Sequence, residues 1–209
     1  MQEYDVVDLK NWERKMHYEI FRQYENPRYD ISFELDITSF YQKIKSQNLS
    51  FTLSFIHAVA TAANEIEAFR YRFEDGQPVL YHKISGISFT YLNFNTELMK
   101  NVVVELKDDS YEFVLYAKKI AQEQKAYFTG PLGNGIYQFS CIPWISYTHI
   151  SHTDSGKKDN AVPIFDWGKY VERDGRKLLP FSVQVHHSFV DGIHIEKFAE
   201  RLQQHLNEN

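Results

Sequence analysis

Four residues near the C-terminal end, His186, His187, Asp191 and His194, carry side chains that could move a proton or hold a metal ion, and they fall within nine positions. Imidazole titrates near neutral pH, so a histidine at the end of an element and beside a carboxylate suits proton transfer. Shared metal ligation is the competing use. Adjacent strand residues point to opposite faces, which keeps His186 and His187 off one ion, and no second cluster with Cys or HxxxH spacing stands elsewhere. Metal binding is therefore not expected.

The elements around these residues must deliver them. Leu178 to Val185 is apolar with β-branched residues and reads as a buried strand; the histidines, Asp191 and Gly192 punctuate a turn; then Ile195, Phe198, Ala199, Leu202 and Leu206 take helical spacing. Toward the N-terminus, Asp8 is expected to cap a helix with apolar Leu9, Trp12, Met16 and Ile20, while Arg14, Tyr18 and Phe21 fall on another face. Alternation from Ile31 to Ile37 predicts a half-buried strand, followed by a short helix through Phe40 and Ile44 and a buried helix over Phe51 to Phe69. Asp75-Gly76 predicts a hairpin turn between Tyr71–Phe73 and Pro78–His82. A strand is expected over Ile87 to Phe94 and an amphipathic helix over 109–128. The chain breaks at Pro131 to Gly135, a strand follows from Ile136 to Cys141, and 151–160 reads as a polar, mobile loop. Pro163 to Val171 and Lys177 to Val185 form strands joined by the Arg173-Asp174-Gly175 turn. Strands and helices interspersed in this way give an α/β or α+β class.

HHSFVDGIH resembles the HHxxxDGxH signature of the chloramphenicol acetyltransferases, whose HxxxDG core recurs in the wider CoA-dependent acyltransferases. NWERKMHYEIF is similar to the family's NWxRxxHFxxY segment, FSCIPWISYTHI to its SxxPWxxF block, and PIFDWGKY and LPFSVQVHH to its late strands, so similar blocks run from Asn11 to Leu206. The resemblance implies a two-layer sandwich around a mixed β-sheet, assembled as a homotrimer with active sites between subunits. It implies His187 as the base that deprotonates an acceptor hydroxyl for direct attack on the acetyl-CoA thioester, and Ser140 as the oxyanion donor. It pairs Arg14, on composition alone a solvated surface charge, with Asp191 as structural support. Phe21, Tyr29, Trp144, Asp166, Lys169 and Tyr170 become candidates for contact with substrate or CoA. Three places depart from the family pattern: Asp166 stands where a Thr is usual, Phe21 where a Tyr helps to bind the antibiotic, and Asn26-Pro27-Arg28 where small residues are usual near the antibiotic site. A charge there would suit a polar or cationic acceptor.

Composition bounds the remainder. A chain of 209 residues is read as one domain over 1–209, long enough for a substantial core. A net charge of −5 disfavours nucleic-acid binding, and the single cysteine, Cys141, excludes an internal disulfide and fits a reducing cytosol. No apolar run approaches membrane-spanning length, and no signal-peptide pattern opens the chain. The expectation is a cytoplasmic acetyl-CoA-dependent O-acetyltransferase acting on chloramphenicol or a related small alcohol. The alternatives are a ligand-binding homologue without turnover and an acyltransferase for a different polar acceptor.

Overall fold

Strand and helix periods alternate along the chain to build β1 (Tyr4–Val6), α1 (Lys15–Phe21), β2 (Arg28–Asp36), α2 (Thr38–Ser46), α3 (Phe51–Glu65), β3 (Tyr71–Glu74), β4 (Gln77–Tyr81), β5 (Gly86–Asn93), β6 (Leu98–Glu105), α4 (Ser110–Glu123), β7 (Ile136–Cys141), β8 (Ile164–Trp167), β9 (Val171–Arg173), β10 (Arg176–His186) and α5 (Gly192–Glu208). The structure, a computed structural model, describes residues 3–130, 132–153 and 156–208. Pro131 of the expected break, and Asp154 and Ser155 of the expected mobile loop, lie outside them.

The main sheet runs β2-β10-β8-β7-β5-β6, with β9 also paired to β10. β5, β7 and β8 are mutually parallel neighbours and the other pairs are antiparallel, so the sheet is mixed. A smaller sheet, β1-β4-β3, turns through Asp75 and Gly76, both at positive φ (48° and 75°), as a type I′ hairpin requires.

Alternation gives the two faces of the main sheet different characters. Phe165, Trp167 and Phe181 point to the helices and pack on Phe55 of α3 and Phe198 of α5; the Phe55–Trp167 and Phe165–Phe198 ring centroids lie 5.0 and 5.5 Å apart. α3 is buried around most of its circumference, as its Ala-rich apolar sequence demands. On the opposite face, strand register sets Ser32, Ser182, Asp166 and Ser140 in one row across β2, β10, β8 and β7.

Several boundaries differ from the sequence reading. Asp8 caps only a turn, through Lys10 N–H at 3.0 Å, and α1 starts seven residues later. Its buried residue is Tyr18, 3% exposed, whereas Met16 and Ile20 are 63% and 48% exposed, so the stripe through Tyr18 faces in. α4 stops at Glu123 rather than 128. Gln124 turns extended and its amide bonds the carbonyls of Asn101 and Ala126, which lays Tyr127 along β6. The strand expected over Pro163–Val171 is split at Gly168. A Cβ there would come 2.5 Å from the Ile145 carbonyl, because the segment after β7 crosses at that point. β1 and β6 had no counterpart in the sequence reading.

Candidate functional site

β10 delivers the two histidines as expected, and they meet different surroundings. His186 is buried: its Nε2 reaches the Lys158 carbonyl at 2.9 Å and its Nδ1 accepts the Ser188 N–H at 3.1 Å. Burial lowers it to about 4, so it stays neutral and structural. Both nitrogens are occupied, which removes it from base or ligand duty. His194 accepts the Asp191 N–H on Nδ1 at 2.9 Å and closes the turn locally.

The His187 side chain is 35% exposed. Phe21 stacks on its ring, with centroids 3.8 Å apart and planes 6° from parallel, and Tyr29 leans against it at 4.7 Å while donating its hydroxyl to the Val190 carbonyl. The backbone is pinned as well, since His187 N–H bonds the Pro27 carbonyl at 2.9 Å. Nδ1 is enclosed and lies 3.1 Å from Asp191 Oδ1 without the alignment of a hydrogen bond. Nε2 is the open nitrogen. The Asp191 charge beside Nδ1 favours the tautomer with the proton there, leaving the Nε2 lone pair free to accept one.

Arg14 reaches this turn from 177 residues away and grips it at four points. Its guanidinium pairs bidentately with Asp191, with the Nη2–Oδ1 bond at 2.7 Å, and donates to the carbonyls of Ser188 (2.7 Å) and His187 (2.9 Å). The same hydrogen bonds hold the Asp191 carboxyl below its ordinary range. A planar fork of five donors is what such a turn can use, and Lys has no equivalent.

Ser140 and Asp166 form a second cluster, in register on β7 and β8. Asp166 is 1% exposed; its Oδ2 meets His152 Nε2 at 2.6 Å, and its Oδ1 has no hydrogen-bond partner among the described residues. Burial raises the Asp166 carboxyl against the pull of His152, while the hydrogen bond to Asp166 raises His152. Sequence reasoning missed His152, because nothing in a polar loop marks which residue folds back onto the sheet. His152, within the run expected to be mobile, is itself held to the sheet by this contact. Cys141, next along β7, has its thiol pushed up to about 11 by burial and is no thiolate nucleophile at neutral pH.

Trp144, 55% exposed, lines a cavity of about 280 Å³ with Phe89, Cys141 and Pro143 from the sheet side, Leu53 of α3, and Lys118 of α4. Its apolar walls and single cation could take a thioester arm. Lys169 follows alongside, its N–H on the Ile145 carbonyl at 2.8 Å, with its side chain outward. Tyr170 packs on Tyr41 at 5.3 Å under the Lys177 ammonium, in a ring cluster apart from the residues that line this cavity.

The structure thus gathers Arg14, Phe21, Tyr29, His187 and Asp191 in one place, and Ser140 and Asp166 in another. Ser182, Asp166 and Ser140 are in register, and His187 lies five residues beyond Ser182. At about 3.3 Å per residue and 4.8 Å per strand, His187 and Ser140 of one chain are on the order of 15–20 Å apart. Both cannot touch one reacting carbonyl within a single chain.

Comparison with known proteins covers the whole of this arrangement. The family model for chloramphenicol acetyltransferase matches residues 2–203. A chloramphenicol acetyltransferase from Klebsiella sp is 30% identical over 208 residues, covering 98% of this chain and 94% of that one. A solved chloramphenicol acetyltransferase superposes with a TM-score of 0.89 at 28% identity, over 97% of this chain and 99% of the other. The dihydrolipoamide acetyltransferase of Azotobacter vinelandii, at 16% identity and a TM-score of 0.69 over 100% of this chain and 92% of its own, shares the fold.

Proposed function

The chain belongs to the chloramphenicol acetyltransferase family and is an acyltransferase, and from that premise we propose that it moves acetyl from acetyl-CoA to a hydroxyl of chloramphenicol or a related small alcohol, with His187 as base. The observation that carries this reading is the clamped His187 ring: Phe21 and Tyr29 on its flanks, its backbone held by Arg14 and Pro27, and Nε2 open.

Nε2 takes the acceptor's hydroxyl proton as the oxygen attacks the thioester carbonyl. The carbonyl oxygen becomes an oxyanion and accepts from the Ser140 hydroxyl. Collapse breaks the carbon–sulfur bond, and the imidazolium returns its proton to the departing thiolate, leaving an acetyl ester and free CoA. No acyl-enzyme is needed. Base catalysis of this kind is worth roughly 10²–10⁴-fold and one oxyanion donor about 10²–10³-fold. Trp144 lines the cavity suited to the CoA arm, Lys169 and Tyr170 are assigned to CoA by the family pattern alone, and Phe21, Tyr29 and Asp166 are assigned to the acceptor.

The separation of His187 from Ser140 supports sites completed by a second copy, in a homotrimer. No helix of the described residues is long and apolar enough to cross a membrane, and a cytoplasmic location fits a CoA-using enzyme with one unpaired cysteine. Thiol release from acetyl-CoA in the presence of chloramphenicol, and beside it a panel of alcohols, tests the reading. His187→Ala should lower kcat by about 10²–10⁴-fold. Undiminished turnover in that variant would reject His187 as the base, and binding without thiol release across the panel would favour a homologue that only holds its ligand.

A further inference from the structure

The row Ser32–Ser182–Asp166–Ser140 contains one charge-bearing residue, and it is buried directly beside the proposed oxyanion donor. An uncompensated carboxylate in that place works against the reaction twice. It draws the Ser140 proton toward itself, and it repels the negative charge developing about one strand spacing (roughly 5 Å) away, a cost on the order of 10²-fold in rate in a partly buried setting.

We infer that His152 is a positioning residue for the acyl-transfer step: folded back from the loop after β7, it holds the Asp166 carboxyl as a charge-neutral pair, so that Ser140 faces no net charge when it meets the oxyanion. This rests on Ser140 being the oxyanion donor. The geometry carries it. Nε2 of His152 lies 2.6 Å from Asp166 Oδ2, Asp166 is 1% exposed, and its buried Oδ1 has no hydrogen-bond partner among the described residues. Among the described residues, the groups facing the pair are Asp30 and Arg28 of β2, Ser182 of β10, Ser140 and Cys141 of β7, and Tyr147 of the same loop, with His149 of that loop further along the row on Ser32. Asp30 and Arg28 act on His152 in opposite directions, and Cys141 keeps its proton at neutral pH, so among the described residues His152 is the cation paired with Asp166.

His152 and Asp166 are both raised, so the pair keeps its shared proton to higher pH than either group would alone. His152 is raised by its partner, so the proton leaves only above the ordinary histidine range, and there the row becomes negative. Turnover therefore falls at high pH, as the His152–Asp166 pair loses its proton.

Two measurements on the intact protein test this. In ¹⁵N-histidine NMR, the His152 signal, assigned by its loss in His152→Gln, should titrate above an ordinary histidine in the native protein and at a lower pH in the isosteric Asp166→Asn. Identical midpoints overturn the pairing without any appeal to activity. In thiol-release assays with acetyl-CoA and chloramphenicol, His152→Gln should lower kcat at neutral pH by on the order of 10²-fold, with the acceptor KM little changed. The double variant His152→Gln/Asp166→Asn should recover most of that loss. A double variant no better than the single, or an unchanged pH profile in His152→Gln, overturns the role. Ser140→Ala separates the two readings: if it turns over like the native protein, the oxyanion assignment falls and takes this role with it, while the NMR coupling between His152 and Asp166 stays as measured.

Discussion

His186 and His187 are adjacent in sequence and opposite in behaviour, and solvent access is what separates them. His186 gives both nitrogens to backbone partners under full burial; His187 keeps Nε2 open between two aromatic rings. The burial of His186 has a consequence for stability. Its folded value is lowered to about 4, whereas the unfolded chain titrates near 6.5. Between those limits the unfolded state binds more protons, so stability falls as pH drops from about 6.5 to about 4, by up to roughly 3 kcal/mol. Urea midpoints measured across that range should show the slope, and His186→Phe should flatten it whatever its effect on absolute stability. Arg14→Lys tests the grip on the same turn. It keeps a charge but loses the fork that spans Asp191 and two carbonyls, at an expected cost of about 2–3 kcal/mol in urea unfolding. It should also lower kcat, because the His187 carbonyl is one of the released partners.

Among the elements, β3 shows most clearly how a charge can serve packing alone. Arg72 is 1% exposed, yet it makes no ion pair within 4 Å among the described residues. Its guanidinium donates to the carbonyls of Phe69, Tyr71, Asn134 and Ile136 and lies over the Tyr137 ring, which ties the small sheet to the start of β7. Burial lowers it to about 10, still charged at neutral pH. Arg72→Met would fill much of the volume but strand four buried acceptors, and should destabilise the fold by about 3–5 kcal/mol in denaturant titration. Since β7 carries Ser140 at its far end, activity should decline along with stability. α1 teaches the converse. Its apolar spacing pointed to Met16 and Ile20, but tertiary packing selected Tyr18, and so it turned Arg14 and Phe21 toward the β10 turn.

For the whole molecule, the decisive quantity is the distance between the two clusters. If sites are completed across a subunit boundary, two inactive chains should complement each other. His187→Ala keeps Ser140 and Ser140→Ala keeps His187. Co-refolded in equal amounts, they should restore about one quarter of the native sites on random assembly in a closed ring. Activity of the mixture no higher than that of the separate variants would place both residues in one protomer's site after all.

The sequence by itself determined those features that depend on local period, turn chemistry or a contiguous motif. The strand-turn-helix around His187, the Asp75-Gly76 hairpin, the strand ending at Cys141 and the family signature are of this kind, because each is set by residues close together in the chain. The Arg14–Asp191 contact spans 177 residues, and it was legible only because the family motif names both ends. Tertiary structure alone decided the rest. Which face of α1 packs, where α4 yields to a strand-like run along β6, and that His152 falls on Asp166 all depend on surfaces assembled from distant segments. The separation of His187 from Ser140 is of the same kind, for it follows from which strands are neighbours and in what register, and strand order is a property of the folded sheet that no local pattern encodes.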